Sequence, residues 1–204
     1  GRSGEIAGVV TASETAATNK VGYVTGYGTK TFTNNLGQEY TGYYVRLAGT
    51  DGVESEYEVS NSGDRYLGYV CRVTFQNGKA SIQKIGSSGG LSGSVSASGR
   101  TIGGVKVSES VKILDTVVSN SSYDSALYKR IYLQRLDGIP INSANVLYYE
   151  KNSSGEITEL ILKDVTGDAY KYGIIESKNG SNEMGSVAES YTLNIDGSLY
   201  TYSQ

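Results

Sequence analysis

The chain has 204 residues, a net charge of −3, one cysteine and no histidine, and its charged residues are dispersed along the sequence. Without a basic stripe, nucleic-acid binding is not expected, and no apolar run approaches the ~18 residues of a membrane-spanning helix. The lack of histidine removes the commonest ligand of zinc, copper and non-heme iron sites, and it makes Ser-His and Cys-His catalytic pairs impossible.

The composition also predicts the fold class. Hydrophobic residues make up 38% of the chain, with 18 tyrosines, 27 glycines and a single proline. Abundant Tyr, Val, Ile, Thr and Gly with few strong helix formers is typical of β-sheet proteins. We therefore predict an all-β protein that consists of two small barrel- or sandwich-like repeat modules and a partial third unit.

Three short β-prone segments, each opening near a glycine, recur along the chain. They are "IAGVVTAS" at 6–13, "LSGSVSAS" at 91–98 and "YKYGIIES" at 170–177. Their glycines Gly8, Gly93 and Gly173 lie about 80 residues apart, which indicates an internal repeat. The predicted units span 5–86, 91–168 and 170–204, the last with only an opening strand and a hairpin. Either this is a segment of a longer repetitive protein, or the partial unit docks on an earlier one.

Between the opening strands the chain is punctuated by predicted hairpins. Residues 14–35 form a long polar stretch, in which we expect an additional tyrosine-containing hairpin or a mobile loop. Beyond it, alternating apolar runs flank dipeptides that favour tight turns, because Asn, Asp and Gly tolerate positive φ. The predicted turns lie at Asp51-Gly52, Asn77-Gly78, Ser98-Gly99, Ser154-Gly155 and Asp196-Gly197.

Two other segments lack the pattern of a hairpin. Residues 84–94, "KIGSSGGLSGS", are rich in Gly and Ser and are predicted to be a linker. In residues 122–133 the side chains of Tyr123, Leu127 and Ile131 follow at helical spacing after Ser122, a favourable N-cap. This pattern leaves a short helix open as an alternative to a strand.

The single cysteine is interpreted as structural. Cys71 lies in "YVCRVTF", an alternating strand. Such a position favours a buried thiol over a nucleophile. With no second cysteine, no intrachain disulfide is expected.

The glutamates are likewise interpreted as structural. Glu54, Glu56 and Glu58 alternate along one strand and so share one face. That spacing is typical of the solvated face of a half-buried strand rather than of a glycosidase carboxylate pair. Glu156 and Glu159 are also expected at the surface. We predict no catalytic residues and no enzymatic activity.

Oxygen-bearing side chains near two turns are possible calcium ligands. They are Asp164 and Asp168 in "DVTGDAY", and Asn179, Asn182 and Glu183 in "NGSNE". Neither stretch fits the EF-hand spacing. We interpret both as ordinary turns and predict neither a metal site nor a cofactor.

Tyrosines crowd the first unit and leave one alternative function open. Tyrosine rings cover the edges of small cores while their hydroxyls reach water, so a structural role is expected for most of them. Exposed aromatic faces beside polar side chains also bind sugars. The candidates for glycan binding are Tyr23, Tyr27, Tyr43 and Tyr44.

One stretch carries a family resemblance. "NVLYYEKNSSGEITELILKDVTGDAYKYGII", which begins at Asn145, resembles the repetitive β-modules beside S-layer homology domains in surface proteins of Gram-positive, clostridia-like bacteria. In those modules a strand ending in Tyr-Tyr leads into a Gly-Glu/Lys-Ile turn, and a junction of the type LKDVTGD-Y-YGI starts the next module. The matching residues are Val146, Tyr148, Tyr149, Gly155, Ile157, Thr166, Gly167, Asp168, Tyr172 and Gly173.

The resemblance implies a location and a role. It implies an exported protein of the cell wall or cell surface, in which this segment has a structural or adhesive function without catalysis. The implied partners are other domains of the same protein, together with cell-wall or host glycans. A carbohydrate-binding module that uses exposed tyrosines is the alternative function.

Overall fold

The computed structural model describes residues 19–76, 79–86, 89–118, 126–170, 172–183, 186–195 and 197–203. The opening strand predicted at 6–13, the turn residues Asn77-Gly78, and Ser122 with Tyr123 lie outside these ranges. The described residues up to Ala169 form one compact unit, and those from Tyr170 onward form another.

The predicted all-β class is confirmed. Within the described ranges the chain forms fifteen strands in three sheets, and helical geometry is confined to three short 3₁₀ turns. None of the helical segments described has the length and apolar character needed to cross a membrane.

The first sheet is antiparallel and has the strand order β3-β2-β1-β4-β5. Its elements are β1 (Lys20–Thr33), β2 (Glu39–Gly49), β3 (Glu54–Val59), a 3₁₀ turn (Asp64–Tyr66), β4 (Val70–Gln76) and β5 (Lys79–Lys84). The expectation of an extra hairpin or mobile loop within 14–35 is wrong for the described part. There β1 is one long strand, because β2 offers a pairing partner along it from Gly22 to Thr33.

The second sheet has the order β10-β6-β7-β8-β12-β11, and β9 also pairs with β8. Its strands are β6 (Gly93–Ser96), β7 (Thr101–Ile102), β8 (Val105–Val118), β9 (Ala126–Ile131), β10 (Pro140–Ile141), β11 (Val146–Lys151) and β12 (Ile157–Lys163). Two 3₁₀ turns, Leu133–Leu136 and Ser143–Asn145, connect β9 to β11 around β10. The pairing of β8 with β12 is parallel, unlike the other pairs of this sheet.

For the described part of residues 121–136, the structure has a strand and then a 3₁₀ turn, not one continuous helix. Ala126–Ile131 is β9, which pairs with β8 from Val118 to Ile113. The first turn of helical geometry comes afterwards, at Leu133–Leu136. The helix preference indicated by the spacing of three apolar residues stabilises this segment less than its pairing with β8 does.

The predicted hairpins are present as antiparallel strand pairs. Pairs β2–β3, β4–β5, β6–β7 and β11–β12 enclose four of the predicted turn sites, and β14 (Ser186–Ile195) and β15 (Ser198–Ser203) of the second unit enclose the fifth. Gly52, Gly155 and Gly197 have φ of 81°, 79° and 82°. Because glycine has no Cβ, it adopts these positive φ values without a steric clash. The turns therefore form at these glycines.

The repeat itself stays a prediction. Both larger sheets contain a closing hairpin, β4–β5 in the first and β11–β12 in the second. In the first sheet β4 joins β1 in antiparallel fashion, whereas in the second β12 joins β8 in parallel. The two hairpins are therefore attached to their sheets in different ways, although their sequences are similar.

Each of the two larger sheets buries its own apolar cluster. The cluster of the first sheet contains Val24, Val45, Leu47, Tyr57, Val59, Tyr66, Cys71 and Val73. The cluster of the second contains, among others, Leu91, Ile113, Leu136, Ile157, Leu160 and Leu162. Leu91 lies in the predicted linker, yet it is buried in this cluster, so the linker prediction is wrong at this residue.

A third apolar cluster joins the two larger sheets. It combines Tyr23, Ala48 and Val70 of the first sheet with Leu114, Ala126, Tyr148 and Ile161 of the second. Polar contacts flank this shared core. Burial raises the pKa of Glu159, and a hydrogen bond with Thr50 acts in the opposite direction. Glu159 is therefore half-buried between the sheets rather than at the surface as expected.

The second unit is a three-stranded antiparallel sheet. Its strands are β13 (Ile174–Glu183), β14 (Ser186–Ile195) and β15 (Ser198–Ser203), in the order β13-β14-β15. β13 and β15 are its two edges. Ile174, Ile175 and Leu199 on these edges are exposed.

Candidate functional site

One face of strands β1, β2 and β3 gathers aromatic and charged side chains. In the strand register Gly28 lies opposite Tyr44, Lys30 opposite Gly42, and Phe32 opposite Tyr40. Tyr44 and Arg46 in turn lie opposite Glu58 and Glu56. Because side chains alternate between the two sides of a sheet, these residues share one side. We call this side the aromatic–acidic face: Lys30, Phe32, Tyr40, Tyr44, Arg46, Glu54, Glu56 and Glu58, with Gly26, Gly28 and Gly42.

Three rings and one ammonium group form one end of this face. The rings of Phe32 and Tyr40 are stacked, with centroids 5.9 Å apart and an interplanar angle of 25°. Lys30 Nζ lies 5.1 Å from the centroid of Phe32 and 5.4 Å from that of Tyr44. A cation at these distances is attracted to the electron-rich faces of the rings. The ammonium group therefore holds two rings in place.

Two glycines allow the rings to lie against the strands. A Cβ at position 42 would come within 2.8 Å of the Phe32 ring, and one at position 28 within 3.0 Å of the Tyr44 ring. Both distances are shorter than ordinary van der Waals contact. The rings cover backbone that has no side chain of its own, an arrangement known from aromatic side chains opposite glycine in sheets.

The charged half of the face is organised around Glu56. Its carboxylate accepts hydrogen bonds from Lys30 Nζ at 2.6 Å and from Arg46 Nη2 at 2.9 Å. Burial alone would raise the pKa of Glu56, but the hydrogen bonds from Lys30 and Arg46 outweigh it, and the net pKa is lowered. Glu56 is therefore held as a carboxylate between two cations.

The other two glutamates make different contacts. Tyr40 donates its hydroxyl to the Glu58 carboxylate at 2.9 Å, and this hydrogen bond raises the pKa of Tyr40. Thr25 donates its hydroxyl to Glu54 at 2.8 Å. On β9, burial, with Glu54 adding to it, raises the pKa of Tyr128 to about 12. Glu54 thus connects the aromatic–acidic face to the second sheet.

The predicted glycan candidates do not fall on one surface. Tyr23 is 0% exposed and belongs to the core shared by the two larger sheets, so it is not an exposed sugar platform. Tyr27 packs against the core of the first sheet, and Tyr43 lies on that same side but is exposed. Of the four, only Tyr44 lies on the aromatic–acidic face.

Sequence reasoning missed Phe32 and Lys30 as members of this face. The signal was present in the alternation of "KTFT" and "EYTGYY", which places Lys30, Phe32, Tyr40 and Tyr44 at even positions on two neighbouring strands. Reading it required the register of β1 against β2. That register depends on the one-residue shift between Val24 and Gly26, which the pattern alone does not reveal.

The predicted burial of the cysteine and the predicted exposure of Glu54 and Glu58 agree with their surroundings, unlike the exposure expected for Glu159. Cys71 is a free thiol in the first core, and burial raises its pKa to about 12. Glu54 and Glu58 on β3 are exposed, whereas Tyr57 and Val59 on the other side are buried. Glu156 is partly exposed.

Among the side chains named as possible calcium ligands, that of Asp168 is engaged by an arginine. Arg135 donates from Nε and Nη2 to the two carboxylate oxygens of Asp168, at 2.8 and 2.9 Å. The structure describes the backbone of Asn179, Asn182 and Glu183 but not their side chains. In the described ranges, no group of three or more acidic or cysteine side chains is placed to hold a metal ion.

Comparison with other proteins identifies no family for this chain. The chain matches none of the protein-family models, none of the curated proteins and none of the solved structures with which it was compared. Partly exposed rings, carboxylates and a lysine side by side can contact a ligand that offers both an apolar face and hydroxyl groups.

Proposed function

We propose that this chain is a non-catalytic structural or adhesive segment of an exported bacterial cell-surface protein, of the kind associated with S-layers. Its partners would be other domains of the same protein, and its location extracellular. The proposal rests on the resemblance of residues 145–175 to repeat modules of such proteins. The structural observation that supports it is the firm attachment of the junction motif at residues 164–168.

The junction motif follows β12 directly and is tied to the second sheet at two points. The buried carboxylate of Asp115 accepts hydrogen bonds from the amides of Val165 and Thr166. Arg135 pairs with Asp168 and also donates to the carbonyl of Thr166 at 3.2 Å. A segment that spaces or presents domains needs such fixed ends, because force and orientation pass through them.

The location can be tested on cells of the organism that carries the gene. Antibodies raised against the folded chain should label intact cells, and brief protease treatment of those cells should remove the label. An antibody against a cytosolic protein serves as the control for cell integrity. Labelling that appears only after lysis would refute the surface location.

A glycan-binding module is the second candidate function, and the aromatic–acidic face favours it. Phe32, Tyr40 and Tyr44 present partly exposed rings beside Glu56 and Glu58. The apolar C–H face of a sugar stacks on such rings, and its hydroxyl groups donate to carboxylates. This candidate and the structural role are compatible in an adhesive protein.

A matched pair of tyrosines allows a direct test of glycan binding. The chain is screened on purified cell wall and on a glycan array, and any saturable binding is measured again for Tyr44→Ala and Tyr43→Ala. Tyr44 lies on the aromatic–acidic face and Tyr43 on the opposite side, so only the first change should abolish binding. Equal loss in both variants, or no binding at all, would remove this candidate.

A further inference from the structure

The small sheet of residues 174–203 repeats a local construction of the first sheet. In β1 the pairing with β2 shifts by one residue between Val24 and Gly26. In β13 the pairing with β14 shifts in the same way between Ile175 and Ser177. The bulged residues are Thr25 and Glu176, and each comes three positions after a glycine, Gly22 or Gly173.

The two glycines also have equivalent surroundings. A Cβ on Gly22 would collide with the carbonyl oxygen of Ala48, and a Cβ on Gly173 would come within 3.0 Å of the carbonyl oxygen of Asn194. Ala48 follows Leu47, the partner of Val24, and Asn194 follows Leu193, the partner of Ile175. β13, β14 and β15 therefore correspond to β1, β2 and β3, with Ile174 and Ile175 in the places of Tyr23 and Val24.

In the first sheet, the free side of β1 at these positions is covered by β4. Gly22 lies opposite Cys71 and Tyr23 opposite Val70, and the Val24 amide donates to the Tyr69 carbonyl at 3.0 Å. Tyr23 and Val24 are both 0% exposed as a result of this pairing and of the cores on either side.

The same positions in the small sheet lack such a cover. β13 is an edge of its sheet, and within the described ranges no strand pairs with its outer side. Ile174 is 74% exposed and Ile175 is 61% exposed. An edge strand with apolar side chains and open backbone groups is a template for adding another strand.

We infer that the outer edge of β13 accepts a β-hairpin of the β4–β5 kind, supplied by a partner polypeptide other than a second copy of this chain. Its first strand runs antiparallel to β13, with a small side chain opposite Gly173 and an apolar side chain opposite Ile174, as Cys71 and Val70 stand opposite Gly22 and Tyr23. This is recognition by strand addition, in which backbone hydrogen bonds give affinity and alternate side chains give specificity. It stands independently of the cellular location of the protein.

The probe is a synthetic peptide with the sequence of residues 69–85, added in large excess to the full chain. The readout is amide hydrogen exchange, residue by residue, by NMR. Because the Val24 amide points toward β4, the corresponding Ile175 amide and, by alternation, the Gly173 amide point to the empty edge. Both should exchange at least about tenfold more slowly with the peptide. The Ile174 amide faces β14, so its exchange reports on whether the small sheet is intact.

Three variants test whether the protection is specific to this edge. The variant Ile175→Lys should abolish the protection, whereas Ser198→Lys on the opposite edge should leave it unchanged. A peptide that carries Val70→Lys should not protect either amide. Retained protection of Ile174 in Ile175→Lys excludes simple unfolding as the explanation.

Two outcomes would overturn the inference. The first is unchanged exchange of Gly173 and Ile175 at saturating peptide. The second is protection of these amides that rises with the concentration of the chain alone, since a second copy would then be the occupant. Slower exchange that depends on the peptide and is lost in Ile175→Lys would establish the acceptor edge.

Discussion

The carboxylate of Asp115 accepts hydrogen bonds from both the amide and the hydroxyl of Thr166, at 2.7 and 2.6 Å. A third hydrogen bond comes from the Val165 amide at 3.0 Å. Asp115 lies on β8 and is fully buried, whereas Thr166 belongs to the turn that follows β12. One charged side chain therefore satisfies three donors of a segment that is fifty residues away in the sequence.

This relationship predicts a large effect of removing the carboxylate. Asp115→Ala leaves three donors without an acceptor, and we expect the free energy of unfolding to fall by about 3 kcal/mol. Thr166→Val removes a hydroxyl that donates to Asp115 and accepts from the Asp168 amide at 3.1 Å, and a loss of about 1–2 kcal/mol is expected. Urea unfolding of both variants measures the difference. Equal losses would mean that the carboxylate does not hold the turn.

The hairpins were readable from the sequence because their turns are local. Asp51-Gly52 and Ser154-Gly155 indicate that the chain reverses direction within a few residues. The alternation of apolar and polar residues in the flanking strands indicates which side of each strand is buried. The attachment of β12 to β8 was not readable, since it is set by packing between distant strands. The same reason explains why the sequence left a helix open at Leu127 and Ile131, which in the structure belong to a strand paired with β8.

The candidate site was only partly predictable for a related reason. Tyrosine content pointed to the first sheet, but burial of Tyr23 depends on its contact with Leu114 and Tyr148 of the second sheet. No local pattern reveals such a contact. The one-residue shift in β1 also decides which side each later side chain faces, and it places Tyr44 rather than Tyr43 beside Phe32.

Two glycines on β1 should respond differently to the same substitution. A Cβ at Gly22 would collide with the Ala48 carbonyl and would lie 2.9 Å from Leu47 Cγ. At Gly26 the nearest atom is Arg46 Cβ at 3.8 Å, an ordinary contact. Gly22→Ala should lower the free energy of unfolding by about 1–3 kcal/mol, and Gly26→Ala should cost much less. Thermal unfolding of the two variants compares them directly, and a reversed order would contradict the close approach of β1 and β2.

Glu56 should stabilise the protein in a pH-dependent way. Its pKa is lowered in the folded protein, so the carboxylate form is favoured by folding. The stabilisation is present above the ordinary pKa of glutamate, and it is lost as the pH falls through the lowered value. Glu56→Gln should cost about 0.5–1 kcal/mol at pH 7, because its ion pairs are partly exposed, and high salt should reduce the cost. Urea unfolding at pH 7 and below pH 4 tests this, and a cost independent of pH would contradict it.

Alkaline conditions should destabilise the first sheet. Burial raises the pKa of Cys71 from 9.0 to about 12 and that of Tyr23 from 10.0 to about 12. Folding favours the neutral forms, so stability is complete below pH 9 and falls as the pH rises from 9 toward 12. Cys71→Ala should flatten the fall between pH 9 and 10, where Tyr23 does not yet ionise in the unfolded chain. A fall of equal steepness in that variant would show that the thiol makes no contribution.

The core shared by the two larger sheets should make them unfold together. Leu114 is fully buried in this core, on the side of β8 opposite to Ile113, which belongs to the core of the second sheet alone. Leu114→Ala should cost about 3 kcal/mol, and we expect it to separate the unfolding of the first sheet from that of the second. Leu160→Ala, at a fully buried position in the second core, should cost a similar amount without separating them. Hydrogen exchange of the Val24 and Leu160 amides at increasing urea follows the two sheets individually. If the wild-type protein already shows two different midpoints, the shared core does not couple the sheets, because strong coupling requires one transition for both.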